Sequence, residues 1–145
     1  MRVSLKSDYG VRALLDLAER AGQGPVRSET IAARQEIPES YLDQLLSVMR
    51  KAGLVSSTRG PRGGHQLQRP PRDIRLVEVL LALEGELLAP APPNTEMADS
   101  LPSVRVQREM WERVRQAMEH ILDETTIEDL LSRQRVLSAQ SRYYI

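Results

Sequence analysis

The chain has 145 residues, of which 41% are hydrophobic and 28% are charged. This length and composition suit one compact domain, or a small domain with an added dimerisation element. The chain has no cysteine, which excludes disulfides, thiolate nucleophiles and any cysteine-ligated metal or cluster. The longest apolar run, 87–93, is too short to span a bilayer, and the opening MRVSLKSDYG lacks the apolar region of a secretory signal. We therefore expect a cytoplasmic protein that does not enter a membrane.

The net charge of zero conceals an asymmetry along the chain. Residues 1–75 contain 13 Lys and Arg against 8 Asp and Glu, whereas residues 76–145 contain 7 against 12. Within 50–75 there are seven basic residues and a single acid, Asp73. Attraction to phosphates is screened within about 10 Å at ordinary salt, so a local patch matters more than the total charge. This basic segment is either a solvated face or a surface that binds nucleic acid.

The first predicted element is an amphipathic helix from Tyr9 to Ala21, ended by the run GQGP. Its apolar residues recur at helical spacing, at Val11, Leu14, Leu15 and Ala18. A short second helix begins at about Ser28, which we expect to be its N-cap. The residues of that helix predicted to pack inward are Ile31, Ala32 and Ala33.

After a tight turn at Gln35 and Glu36, a third helix is predicted to begin at Pro38, because a missing N–H costs nothing at the first helical position. Gly53 ends this helix as a C-terminal cap residue. Its buried stripe is predicted to consist of Leu42, Leu45, Leu46 and Met49. Helix, short helix, turn and helix form the core of a helix-turn-helix.

Two short strands, 54–58 and 65–68, follow the third helix. The segment RGPRGG between them is rich in turn residues, and two prolines after the second strand end the hairpin. A fourth helix is predicted from about Leu76 to Leu83, before Gly85. A helix that leads into a basic hairpin is how a winged helix-turn-helix reads DNA, with the helix in the major groove and the hairpin on the backbone or in the minor groove. We predict a mainly α fold with a two-stranded wing.

The longest predicted helix runs from Val104 to about Asp123, after a proline-containing loop at 86–103. It either folds back on its own domain or pairs with the same helix of a second copy. We favour a homodimer, since two-fold symmetry doubles the DNA contacts and sets the spacing of the half-sites. The predicted interface consists of Val104, Trp111, Val114, Met118, Ile121 and Leu122, with Met110 and Ala117 widening the same face.

A short last helix is predicted from Ile127 to about Arg133, and the tail that follows has no clear pattern. Thr125 and Thr126, with Glu128 and Asp129 three residues after each, have the spacing of capping boxes. We therefore divide the chain into a DNA-binding domain at 1–85, a loop at 86–103, and a dimerisation helix with a short last helix and tail at 104–145.

Other functions receive little support from the residues. His120, Asp123 and Glu124 have a spacing that would suit a metal, but such triplets are common on solvated helix faces. His65, in the wing, is expected to pack or to contact a phosphate rather than to ligate a metal. No arrangement typical of an enzyme is present, and GPRGG lies between strands rather than before a helix, where a phosphate-binding loop would lie.

Taken together, these segments resemble the Rrf2 family of bacterial transcription regulators, which includes IscR-type, NsrR-type and CymR-type proteins. The matching stretches are MRVSLKSDYGVRALLDLA, IAARQEIPESYLDQLLSVMRKAGLV, SSTRGPRGGHQL, IRLVEVLLALEG, MWERVRQAMEHIL and TTIEDLL. The resemblance covers nearly the whole chain. It implies a homodimeric winged-helix repressor or activator that dimerises through the long penultimate helix.

The resemblance also implies roles for individual residues. The recognition helix presents Glu39, Ser40, Asp43 and Gln44 to the major groove; Gln44 is suited to adenine and Asp43 to a cytosine amino group. Arg59 is expected to enter the minor groove of A/T-rich DNA, from a wing tip shaped by Gly60 and Pro61. Tyr41 either contacts a phosphate or packs under the start of the helix. The remaining phosphate contacts are predicted at Arg2, Lys6, Tyr9, Arg50, Lys51 and Arg62, although ordinary solvation is an alternative for the arginines outside the wing.

One departure from the family pattern lies in the loop before the long helix. Cluster-binding members carry three cysteines there, in some cases with a histidine three residues before the tryptophan, whereas here that position is Arg108. Asp8 lies where some members have a carboxylate ligand, but its expected role is to complement the helix dipole. We expect no cofactor. Control then falls to an unidentified small molecule or protein partner; the alternative is a winged-helix interaction module with vestigial DNA binding.

Overall fold

The computed structural model describes residues 3–88 and 96–143. Three helices come first: α1 (Leu5–Glu19), α2 (Ser28–Gln35) and α3 (Glu39–Lys51). The strands β1 (Val55–Thr58) and β2 (Gly64–Leu67) follow, and a 3-10 turn at Pro71–Asp73 leads to α4 (Leu76–Glu84). The remaining helices are α5 (Glu96–Asp99), α6 (Pro102–Glu124) and α7 (Ile127–Tyr143). The mainly α fold with a two-stranded hairpin, predicted from the sequence, is confirmed.

A hydrophobic core lies around α1, which contacts α2, α3, α4 and α7. The stripe predicted for α3 is confirmed, since all four of its residues are buried. In α1 the most buried apolar residues include Leu14 and Leu17, while Val11 and Leu15 are partly buried at the edge of the core. In α2 the prediction is correct for Ile31 and Ala32 and wrong for Ala33. Ala33 is exposed because an eight-residue helix presents only one narrow face to α1 and α3.

The carboxylate of Asp16 joins α1 to α2. Its side chain is only 1% exposed and accepts two hydrogen bonds from Arg34, at 2.9 and 2.7 Å. Gln35 donates a third at 3.1 Å, and the guanidinium of Arg20, the residue directly after α1, lies 3.4 Å away. A buried carboxylate is tolerated only when it is paired in this way. The hydrogen bonds that Arg34 donates to Asp16 also raise the pKa of Arg34.

Replacing Asp16 with alanine is expected to lower the free energy of unfolding by about 2 kcal/mol, because Arg34 and Gln35 lose their charged partner. The loss is moderated because the Arg34 side chain is 33% exposed, so water can replace part of the interaction. Urea denaturation followed by circular dichroism measures the change. Asp8→Ala is the matched control, since Asp8 also pairs with an arginine four residues on but is 53% exposed, and it should cost under about 1 kcal/mol. Equal losses would contradict the role of the buried network.

Helix α4 packs closely against α1 at Gly10. A methyl group at this position would clash with the side chain of Leu83, so glycine permits the close approach of the two helices. Gly85, with φ of +81°, then ends α4 where the sequence predicted it.

The last helix, α7, is longer than predicted and reaches Tyr143. Its first turn is held by a capping box in which Thr126 Oγ1 accepts from the N–H of Asp129, and Asp129 Oδ2 accepts from the N–H of Thr126. The other predicted box is wrong, because the Thr125 hydroxyl donates to the carbonyl of Ile121. Ile127 is buried in the core, and its N–H bonds to the carbonyl of Ile74 at 2.9 Å.

Several predicted helix ends are also corrected. The first helix begins at Leu5 rather than Tyr9, because its first turn is held by a contact with the end of α4. Ser28 is the first residue of α2 and not its cap, and Pro38 precedes α3, with ψ of 126°. The segment predicted as a loop at 86–103 contains the short helix α5, and α6 begins at Pro102. No helix among the described residues has both the length and the apolar character needed to cross a membrane.

Candidate nucleic-acid interface

Helix α3 has one buried face and one exposed polar face. Because its apolar residues recur at spacings of three and four, they pack against α1, and the residues between them face outward. Every residue predicted to read bases is exposed: Glu39, Ser40, Asp43 and Gln44. Arg50 and Lys51 are exposed at the C-terminal end of the same helix, where basic side chains also complement the helix dipole.

Tyr41 is half-buried at the start of α3 and packs edge-on against Tyr9 of α1, with ring centroids 5.6 Å apart. The guanidinium of Arg12 lies over the Tyr9 ring, 5.3 Å from its centroid, and also donates to the carbonyl of Gln35. The two tyrosine rings therefore fix the start of the recognition helix against α1. This supports the packing role considered for Tyr41.

The other basic residues predicted near the start of the chain are only partly covered by the structure. Lys6 is exposed in the first turn of α1. Arg2 lies outside the described residues.

The hairpin after α3 forms an exposed basic tip. Strands β1 and β2 pair antiparallel, with Ser57 opposite His65 and Thr58 opposite Gly64. At the tip, Arg59 and Arg62 are exposed and form no ion pair with any described residue. Gly60 and Pro61 lie between them and are exposed as well. The tip thus presents two exposed guanidinium groups on a turn.

Glycines determine the shape of this turn. Gly60 has φ of +107°, which a residue with a side chain rarely adopts. Gly63 is buried, its N–H donates to the carbonyl of Gly60 at 2.9 Å, and a methyl group there would clash with the carbonyl of Thr58. The GPRGG segment is therefore a tight turn rather than a phosphate-binding loop.

The wing is anchored by backbone pairing to the segment before α2. Val26 and His65 exchange two hydrogen bonds of 2.8 and 2.7 Å, so Val26 extends the two-stranded sheet. The ring of His65 lies 2.9 Å from the Ser57 hydroxyl across the hairpin. Burial lowers the pKa of His65, which favours its neutral form. His65 is thus part of the wing's framework, which favours packing over phosphate binding.

Two features of this surface were not found from the sequence. Val48 is 40% exposed although it lies within an otherwise well-patterned helix, four residues after Gln44 and on the same face. The sequence did contain an indication of this exposure, because Val48 lies outside the stripe of α3 that helical spacing predicts to be buried. An open polar cleft of about 220 Å³ lies between the start of α2 and the hairpin, with Ser28, Ser57 and Thr58 among its lining residues. The cleft could not be predicted from the sequence, because its lining residues come from segments that meet only in the folded chain.

Helix α6 has no buried residue in its 23 residues. Its apolar side chains form two groups. The half-buried group contains Val104, Met118 and Leu122. Helix α6 packs against α4. The exposed group contains three of the predicted interface residues, Trp111, Val114 and Ile121, together with Met110 and Val106, the last of which the prediction omitted.

A helix-turn-helix whose recognition helix leads into an exposed basic hairpin defines a winged helix-turn-helix DNA-binding protein. A model of the family described as "Rrf2: Iron-dependent Transcriptional regulator" matches residues 3–133. The HTH-type transcriptional regulator CymR of Bacillus subtilis is 39% identical over 132 residues, which are 91% of this chain and 91% of that protein. The chain belongs to the Rrf2 family of transcriptional regulators, and the prediction of a DNA-binding regulator rather than an enzyme is confirmed.

Solved structures support the same assignment. The structure of CymR (YrzC), "the Global Cysteine Regulator of B. subtilis", has a TM-score of 0.77 at 36% identity and covers 92% of this chain and 98% of that one. The structure of T. potens IscR has a TM-score of 0.74 at 41% identity, over 92% of this chain and 88% of that one.

The family description names iron, so the available ligands can be compared with what a cluster needs. The chain has no cysteine, and Arg108, three residues before Trp111, forms an ion pair with Asp99. Among the described residues no three His, Asp or Glu side chains converge on one point. His120 pairs with Glu124, at 3.2 Å, and Asp123 pairs instead with Arg75 of the segment before α4. These residues do not fit a cysteine-ligated cluster.

Proposed function

We propose that this protein is a homodimeric, sequence-specific regulator that binds an inverted-repeat operator without an iron–sulphur cluster. The observation that carries the proposal is the exposed polar face of α3 beside a wing tip with two arginines that pair with no acid of residues 3–88 and 96–143. A bound dimer that covers a promoter excludes the polymerase, so we infer repression as its effect. The chain then divides into the DNA-binding domain at 1–85, a loop at 86–103 and the dimerisation element at 104–145.

In this proposal α3 reads bases in the major groove. The side chains of Glu39, Ser40, Asp43 and Gln44 extend into the groove; an amide can bond both N6 and N7 of adenine, and a carboxylate can accept from a cytosine amino group. Val48 adds an apolar surface that suits a thymine methyl group. Phosphate contacts from Arg2, Lys6, Tyr9, Arg50, Lys51 and Arg62 hold the protein in register.

The wing carries the second contact. Arg59 extends from the end of β1, and we assign it to the minor groove, where narrow A/T-rich DNA attracts a guanidinium group. Gly60 and Pro61 form the turn that lets the tip approach the backbone. The pairing of β2 with Val26 keeps the hairpin from moving independently of the helices.

Dimerisation is supported by the exposed apolar side of α6. Five large apolar side chains on one helix are each between 36% and 64% exposed: Val106, Met110, Trp111, Val114 and Ile121. A contiguous surface of this kind is rare on a monomer and common at an interface. Two copies related by a two-fold axis would place their recognition helices about 34 Å apart, or a multiple of that distance, to match one or more turns of DNA.

In this proposal, DNA binding is controlled by an unidentified small molecule or protein partner.

Selection of the purified protein against random duplex DNA, followed by sequencing, tests the function. Enrichment of an inverted repeat with A/T-rich positions is expected, and it would show a dimeric reader that binds without a cofactor. No enrichment, from protein shown to be folded and dimeric, would contradict the proposal of unaided DNA binding and favour an interaction module.

A further inference from the structure

The carboxylate of Glu84, the last residue of α4, fastens the first turn of α1. Its Oε1 accepts a hydrogen bond of 3.2 Å from the N–H of Ser4 and one of 2.6 Å from the hydroxyl of Ser7, and it also accepts from the Ser4 hydroxyl. Ser7 is only 1% exposed. These hydrogen bonds stabilise the ionised form, and they hold the pKa of Glu84 below its usual value.

This contact replaces an ordinary helix cap. Ser4 occupies the N-cap position of α1, yet its side chain makes no capping bond within the helix because its hydroxyl is engaged with Glu84. The first turn of a helix has N–H groups without partners and tends to fray. In α1 it is held instead by a residue 80 positions away in the sequence.

The fastened turn carries residues that face the DNA in the proposed function. Lys6 lies between Ser4 and Ser7 and is exposed. Tyr9, one turn after Lys6, packs against Tyr41 in the first turn of α3. Tyr9 lies beyond the fastened turn and has its own contact with Tyr41, so a shift in the start of α1 would displace the predicted phosphate contact at Lys6.

We propose that Glu84 is a positioning residue for DNA binding, which holds the start of α1 so that Lys6 reaches a phosphate. The inference rests on the proposed function, since it requires Lys6 to contact DNA. Glu84 itself touches no DNA. As a carboxylate it would repel phosphates, so its benefit comes only through the residues that it holds.

The test compares operator affinity and its salt dependence for Glu84→Ala, Glu86→Ala, Lys6→Ala and the double variant Glu84→Ala with Lys6→Ala. Glu86 is the matched control, because it is an exposed acid two residues away and its removal changes the net charge equally. We expect Glu84→Ala to weaken binding about fivefold to tenfold and to lower the salt slope by about one, as for one lost phosphate contact. Glu86→Ala should not weaken binding. Glu84→Gln keeps an acceptor oxygen and should recover part of the affinity.

The double variant distinguishes positioning from general destabilisation. If Glu84 acts through Lys6, the double variant should bind no more weakly than Lys6→Ala alone. Additive losses, or a Glu84→Ala protein that melts at a lower temperature but binds like Glu86→Ala when folded, would overturn the inference. A Lys6→Ala protein with unchanged affinity would instead overturn the assigned phosphate contact, and the role of Glu84 with it.

Discussion

Trp111→Glu is expected to produce a folded monomer that binds the operator about 1,000-fold more weakly than the wild-type protein, or worse. Trp111 is 44% exposed on α6 and lies beside other exposed apolar side chains, among them Met110 and Val114. A carboxylate there would be buried without a partner in the dimer, which costs several kcal/mol for each copy. A monomer reads a single half-site, and its affinity then approaches that of non-specific binding, which is typically 1,000-fold or more below specific binding.

Light scattering and operator titration measure the two effects of this substitution. The matched control is His120→Glu, since residue 120 is nine positions on and therefore half a turn around the helix from Trp111. Its side chain is 71% exposed, and the change adds the same negative charge. The control should remain dimeric. Dimers of Trp111→Glu at micromolar concentration would refute the assigned interface.

Arg59→Ala is expected to weaken specific binding by about 1–3 kcal/mol and to relax the preference for A/T at the position beneath the wing. The guanidinium is exposed at the tip, so its removal breaks no ion pair with a described residue. Its contribution arises in the narrow minor groove, where the negative potential is strongest. Titration of the operator and of a duplex with G/C at that position measures both effects.

Arg62→Ala is the matched contrast, because it removes the same charge from the same turn. As a phosphate contact, Arg62 should contribute equally to all sequences, so its loss should lower the salt slope by about one and leave base preference intact. If both variants changed affinity and base preference equally, the assignment of Arg59 to the minor groove and of Arg62 to a phosphate would be contradicted. If Arg59→Ala left both affinity and base preference unchanged, the proposed contact of the wing with the minor groove would be wrong.

The elements around the proposed DNA-binding surface were predictable because their causes are local. The apolar spacing of α3 and the glycine at its end set the helix, and the turn residues at 59–64 set the hairpin. The strand ends differ from prediction by at most one residue. By contrast, the length of α7 was missed because its last ten residues present few buried apolar side chains, and periodicity cannot detect a helix that is mostly solvated.

Sequence alone determined the family, the class of fold, the recognition helix, the basic wing and the lack of thiolate ligands, because each depends on residue type at short spacing. Tertiary structure decided the rest. It placed the start of α1 at Leu5 through Glu84, buried Asp16 beneath Arg34, and paired the wing with Val26. It also divided the apolar residues of α6 into a half-buried group and an exposed one. These arrangements join residues that lie far apart in the chain, and local patterns contain no information about which distant partner each will meet.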